Sequence, residues 1–78
     1  MLEAANATAE AGEDVVVIGR TYDAARVLAD RCWRMARAER RNSLRLLYAS
    51  GGSIKFMSTS ANLRGMNVVV FQDHDALR

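Results

Sequence analysis

Two short runs of β-branched residues constrain the fold most strongly. Residues 14–18 read DVVVI and residues 67–71 read NVVVF, so each run is apolar at consecutive positions and does not alternate with polar residues. A strand of this kind is typical of the interior of a parallel sheet, where both faces are covered. The two runs therefore predict a pair of parallel strands at the centre of an α/β sheet.

The segments before and between these runs predict two helices. Residues 2–11 are rich in alanine and glutamate, which are good helix formers. Residues 22–41 place small apolar side chains on one helical face, with Thr21 or Asp23 as the N-cap. Cys32 lies on that apolar face and is expected to be a small core residue.

A hairpin is predicted in the second half of the chain. Residues 44–48 and 53–57 alternate apolar and other side chains, as strands do, and Gly51 and Gly52 between them tolerate the backbone angles of a tight turn. A single turn is expected around Ser60 to Leu63.

Together these elements predict one small two-layer α/β domain over residues 1–78, with residues 1–12 as its N-terminal helix. We expect a mixed sheet of about four strands, with the parallel pair in the centre, the hairpin to one side and the order α-β-α-β-β-β.

Composition narrows the class of protein. A single cysteine provides neither a disulfide framework nor a zinc cluster, and no apolar run approaches the roughly 20 residues needed to cross a bilayer. The acidic N-terminus has neither the basic start nor the apolar core of a signal peptide. We therefore expect a cytoplasmic protein with no membrane contact, no metal and no cofactor.

Charge is unevenly distributed, with an acidic start and a basic middle. The predicted helix 22–41 carries one face of basic residues with Trp33 among them. Arginine and tryptophan are enriched in interaction hot spots, and arginines also bind phosphates, so this face is a candidate contact for protein or nucleic acid. The alternatives are a solvated helix face, and a Trp33 packed under the hairpin or the first helix. The candidate arginines are Arg26, Arg34, Arg37, Arg40 and Arg41.

Two stretches resemble the ATPase core of the phage terminase large subunit, a P-loop ATPase. VVVIGRTYDAARVLADRCWRMA, residues 15–36, is similar to the strand, loop and helix that follow the phosphate-binding helix in that family. NSLRLLYASGGSIKFMSTSANLRGMNVVVFQDHDA, residues 42–76, has the family's later pieces in order: strand, glycine turn, strand, Leu-Arg-Gly and an apolar strand ending in acid. The likeness covers residues 13–76 and implies a relative of an enzyme that hydrolyses ATP to package DNA.

Two departures argue against that activity here. A phosphate loop needs a glycine-rich turn followed by Gly-Lys-Ser/Thr, and Asp14 stands where its first glycine should be. The family places two acids directly after the last strand, one of them for Mg²⁺, whereas Gln72 occupies the first of these positions and only Asp73 remains. We expect a degenerate, truncated relative that is not an enzyme.

Loss of the family's first strand would leave the strand at 67–71 at an edge of the sheet. The backbone of Val68, Val69, Val70 and Phe71 would then be free to pair with another chain. The sequence therefore predicts a phage-encoded protein that acts by protein–protein interaction, as a homodimer or with a host protein. Nucleic-acid binding by the arginines is the second hypothesis.

The remaining chemistry-bearing residues give weaker signals. Residual nucleotide binding at Asp73, with a phosphate loop from another chain, is a third hypothesis for function. His74 lies between two aspartates. We expect it to be a solvated loop residue; the alternatives are a metal ligand and a general base. Arg64, in the Leu-Arg-Gly turn, is expected to be structural or to have no remaining role.

Overall fold

The computed structural model describes residues 1–58 and 68–72, which form two helices and five strands. The predicted turn at Ser60 to Leu63, and also Arg64, Asp73 and His74, lie outside the described residues. The elements in chain order are α1 (Leu2–Glu10), β1 (Asp14–Ile18), α2 (Tyr22–Met35), β2 (Arg40–Asn42), β3 (Arg45–Leu47), β4 (Ser53–Met57) and β5 (Val69–Gln72).

The sheet is mixed and has the strand order β2-β3-β4-β1-β5. β1 pairs in parallel with β4 on one side and with β5 on the other, with Val16 in register with Lys55 and Val70. β2, β3 and β4 pair as antiparallel neighbours. The α/β class, the hairpin and the parallel pairing of the two apolar runs are therefore confirmed.

Three finer predictions were wrong. The described residues form a sheet of five strands where about four were expected, and the element order gains a strand after α2, because residues 40–42 form β2. Among the described residues the parallel set contains three strands, and β5 lies at the edge, where loss of the family's first strand would put it, and not at the centre that its composition indicated. The strands predicted at 44–48 and 67–71 extend over Arg45–Leu47 and Val69–Gln72, so Val68 precedes β5.

The helix predicted for residues 22–41 ends at Met35, and this is the largest difference between the structure and the sequence-based prediction. Thr21 caps its start, since the Thr21 hydroxyl oxygen accepts a hydrogen bond from the backbone N–H of Ala24 at 3.1 Å. Ala36 has extended backbone angles and ends the helix. Beyond it, the N–H of Glu39 already donates to the carbonyl of Leu47. Residues 36–41 are alanine, arginine and glutamate, which are good helix formers, so pairing with β3 overrides the local helix propensity.

Both helices pack on one face of the sheet and enclose a single core. The alternating residues of the strands point into it, and the small residues of the helices let the backbones come close. Cys32 is completely buried there, as expected from its helical position. The largest fully buried side chains are Phe56, Leu46, Ile54, Val15, Val17 and Cys32.

The turn of the β3–β4 hairpin is fastened to the end of α1. Ser50 Oγ donates to the Ala9 carbonyl at 2.7 Å, and the Ser53 N–H donates to the Glu13 carbonyl at 3.2 Å. Gly51 has a φ of +91°, which explains a glycine at this position. Tyr48 completes the junction by donating from its hydroxyl to Asn6 Oδ1 at 2.7 Å.

Candidate interaction surfaces

The two edges of the sheet differ sharply in chemistry. β2 is Arg-Arg-Asn, and charged side chains on an edge strand discourage further strand pairing. β5 is Val-Val-Phe-Gln and carries no charge. We call Val69–Gln72 the β5 edge; its outer side has no strand partner among the described residues.

An open groove runs along the β5 edge. It has a volume of about 530 Å³ and is lined by Met1, Val70, Phe71 and Gln72. Val70 is 44% exposed, although β-branched residues gain most when they are packed in a sheet. Val69 and Phe71 point to the other face and pack against the core. The side chains of Val69 and Phe71 therefore anchor β5 to the core on the helical face of the sheet, and Val70 leaves an apolar side chain exposed on the opposite face.

The five candidate arginines do not lie on one helical face. Arg26 and Arg34 are exposed on α2, and Arg37 follows the helix end. Arg40 and Arg41 are successive residues of β2, so their side chains point to opposite faces of the sheet. The predicted continuous arginine face was wrong because the helix stops at Met35. Nucleic-acid binding by these residues stays a prediction.

Arg41 is already engaged within the chain. Its guanidinium donates to Asp30 Oδ1 at 2.6 Å and to the carbonyl of Ser43 at 3.1 Å, so it links α2 to β2. The hydrogen bond from Arg41 lowers the pKa of Asp30, and the charges of Arg34 and Arg26 act in the same direction. Because the pair is solvent-exposed, it orients β2 more than it stabilises the fold.

Trp33 lies on the surface of α2 and is 37% exposed. It follows Arg26 by two helical turns and is therefore on the same side of the helix. It does not belong to the buried core cluster. Of the two alternatives for Trp33, the structure favours the exposed position; a role in binding stays a prediction.

The sequence did not single out a second feature, a pocket at the carboxyl end of β4. Its volume is about 370 Å³, and it opens between the start of α2 and the turn that joins β2 to β3. The signal was present in the alternation of LRLLY and SIKFM, which puts Arg45 and Lys55 on the same face of the hairpin. We call this site the cation pocket; its lining residues are Tyr22, Asn42, Ser43, Leu44, Arg45, Lys55, Phe56, Met57 and Ser58.

Two ionisable side chains of the core, Cys32 and Tyr48, have raised pKa values. Burial raises the pKa of the Cys32 thiol and that of the Tyr48 phenol, and the proximity of the two groups raises the Tyr48 pKa further. Both groups are therefore neutral at physiological pH, and Cys32 is poorly suited to act as a nucleophile.

Neither a metal centre nor a membrane-crossing helix is found in the part of the chain that the structure describes. No three His, Cys, Asp or Glu side chains among these residues are placed to hold a metal ion. Neither α1 nor α2 is long and apolar enough to span a bilayer.

Comparison of the chain with protein-family models, with curated proteins and with solved structures gives no match in any of the three. The resemblance to the terminase ATPase core accordingly stays a prediction. The surfaces described above must be interpreted from their own geometry.

Proposed function

We propose that this chain is a small, non-catalytic, phage-type protein related to the terminase ATPase core, and that it acts by protein–protein interaction at the β5 edge. The observation that supports it best is the contrast between the two edges of one sheet. β2 carries two arginines, whereas β5 presents only uncharged residues and a groove beside them. An uncharged edge of this kind favours strand addition by another polypeptide.

A second copy of this chain is the partner that we propose. A two-fold axis perpendicular to the sheet would place two β5 strands antiparallel and would keep both helical layers on the same face. With the axis at Val70, each Val69 lies opposite Phe71 of the second copy, and the two Val70 side chains meet on the other face. Pairs of aromatic and β-branched residues are favourable cross-strand neighbours. The absence of charge in Val69–Gln72 removes repulsion between the two copies.

The length of β5 limits the strength of such a dimer. Four residues pair few backbone groups, so the buried surface belongs to the small, transient class of interfaces. We therefore expect dissociation constants on the order of micromolar or weaker, and a monomer–dimer equilibrium that depends on concentration.

The non-catalytic part of the proposal rests on the residues at the ends of β1 and β5. Asp14 occupies the start of β1, where a phosphate loop would need glycine and backbone N–H groups. Gln72 ends β5 and cannot hold Mg²⁺ as a carboxylate does. Purified protein with Mg²⁺ and ATP is expected to show no turnover, and sustained hydrolysis that follows the protein through purification would contradict this part.

Replacement of Val70 by lysine tests the edge directly. Val70→Lys removes the Val–Val contact and puts two like charges opposite each other, so we expect the dimer to weaken about tenfold or more. Val27→Lys is the matched control, because Val27 is 50% exposed and lies on α2, away from the β5 edge. Sedimentation equilibrium over a range of concentrations measures both variants.

The expected result is that Val27→Lys behaves as the parent chain and Val70→Lys is monomeric. A parent chain that stays monomeric at millimolar concentration would overturn self-association. Equal weakening by both lysine variants would show that the copies meet at a surface other than the β5 edge.

A further inference from the structure

The cation pocket contains a pair of like charges for which no ion-pair partner is found among residues 1–58 and 68–72. Arg45 of β3 and Lys55 of β4 are directly opposite each other in the antiparallel register, and both are exposed. Like charges in this arrangement destabilise a sheet. In the described part of the chain, the ion pair found is Arg41 with Asp30, which involves neither of them.

The acid on the same face of the sheet does not neutralise the pair. Asp14 is in register with Ser53, two residues from Lys55, and its Oδ1 accepts a hydrogen bond from Ser53 Oγ at 2.9 Å. It borders a neighbouring cavity of about 140 Å³ that Arg45 and Lys55 also line. It does not line the cation pocket, whose lining residues include no carboxylate.

The rest of the pocket suits a ligand with an apolar part. Leu44 and Met57 are half-buried and offer hydrocarbon surface, while Tyr22, Asn42 and Ser58 offer a phenol, an amide and a hydroxyl group. The volume of about 370 Å³ is that of a small-molecule site. The pocket also lies at the carboxyl end of β4, the side of a parallel sheet where α/β proteins hold their ligands.

We propose that the cation pocket binds a small organic phosphate monoester. The phosphate lies between Arg45 and Lys55, and the apolar group lies against Leu44 and Met57. A phosphate dianion matches two adjacent cations in charge, and the arginine fork supplies two parallel hydrogen bonds to its oxygens. Binding removes the repulsion across the β3–β4 pair, so the ligand stabilises the hairpin. The site is separate from the β5 edge and does not depend on the proposed self-association.

Phenyl phosphate is the probe, with inorganic phosphate and phenol as its two halves. Calorimetric titration at low salt is expected to show phenyl phosphate binding at least tenfold more tightly than either half, and this binding should weaken as salt rises. Benzoate tests the charge, since a singly charged carboxylate should bind about tenfold more weakly. Absence of phenyl phosphate binding at millimolar concentration, or equal binding of benzoate, would overturn the proposal.

Charge-removing variants locate the site. Arg45→Gln and Lys55→Gln are each expected to lower the affinity for phenyl phosphate about tenfold. The matched control Arg37→Gln removes an exposed arginine outside the pocket and should change nothing. Val70→Lys should also bind normally, which separates a failure here from a failure of the dimer.

Thermal unfolding without ligand gives a second readout. Lys55→Gln relieves the repulsion from Arg45, so its melting temperature should equal or exceed that of the parent chain. Phenyl phosphate should then raise the melting temperature of the parent chain more than that of Lys55→Gln at the same ligand concentration. An equal rise in both would place the ligand elsewhere and overturn the proposal.

Discussion

Gly52 sets how closely α1 approaches the β3–β4 hairpin, and Gly52→Ala is expected to be severely destabilising. Gly52 is buried, and an added Cβ would overlap the carbonyl oxygen of Ala9 and lie 2.8 Å from the Ala9 carbonyl carbon and the Glu13 oxygen. All three are backbone atoms, so no change of rotamer relieves the overlap. The end of α1 and the hairpin must therefore separate.

The cost follows from what that separation breaks. Two of the hydrogen bonds of the junction lie beside Gly52, from Ser50 Oγ to the Ala9 carbonyl and from the Ser53 N–H to the Glu13 carbonyl. Each contributes about 1 kcal/mol, and the displaced packing adds about 1–3 kcal/mol, so we expect a loss of roughly 3–5 kcal/mol. A domain of this size has a total stability of only about 4–12 kcal/mol. Gly52→Ala should therefore remove a large part of it.

Gly51 in the same turn provides the matched control. An added Cβ there meets no atom within 4 Å, but the φ of +91° is unfavourable for alanine. Gly51→Ala should then cost only about 1–2 kcal/mol. Urea unfolding followed by circular dichroism measures both free energies. A Gly52→Ala variant within about 1 kcal/mol of the parent chain, or no worse than Gly51→Ala, would refute the close approach of α1 to the hairpin.

Three further predictions concern single side chains. Tyr48→Phe and Asn6→Ala should each lower the free energy of unfolding by about 1 kcal/mol, and the double variant should cost less than their sum; strict additivity would mean that the two do not interact. The Asp30 carboxyl has its pKa lowered by Arg41, so its contribution is complete above pH of about 4 and disappears as the pH falls below that value. Asp30→Asn should therefore be less stable than the parent chain at pH 6, and the difference should shrink as the pH falls through the lowered pKa of Asp30. A difference that stays constant into acid would contradict this assignment. Trp33 should be quenched readily by acrylamide in the folded protein, and quenching that appears only on unfolding would contradict its exposure.

The apolar run at residues 14–18 was the most reliable predictor of the fold, because it correctly indicated a buried strand of a parallel sheet. Val15, Val16, Val17 and Ile18 are all buried, so β1 is covered on both faces, as its composition indicates. The similar run at 67–71 was a weaker guide, since Val70 is exposed and β5 lies at the edge. Composition reports that a strand is apolar, but its place in the sheet depends on which other strands pair with it.

β2 shows why the end of α2 was missed. Arg-Arg-Asn has no strand character of its own, and it becomes a strand only because Arg45–Leu47 supplies hydrogen-bonding partners. The formation of β2 also divides the predicted arginine face, because Arg40 and Arg41 lie in this strand and point to opposite faces of the sheet. The cation pocket was missed for a related reason: Arg45 and Lys55 become neighbours only through the register of the hairpin. Local patterns do not contain that register.

The place of β1 in the sheet has a consequence for how the chain is made. β1 precedes the other strands of this sheet along the chain, yet both of its neighbours come much later, since Val16 pairs with Lys55 and Val70. During translation this aliphatic segment has neither partner strand until residues 53–57 and then 69–72 have emerged. Contacts so distant along the chain slow folding and leave the nascent strand open to capture by chaperones. A chain truncated before Val69 would leave one side of β1 without a strand partner, which would favour aggregation over a smaller folded product.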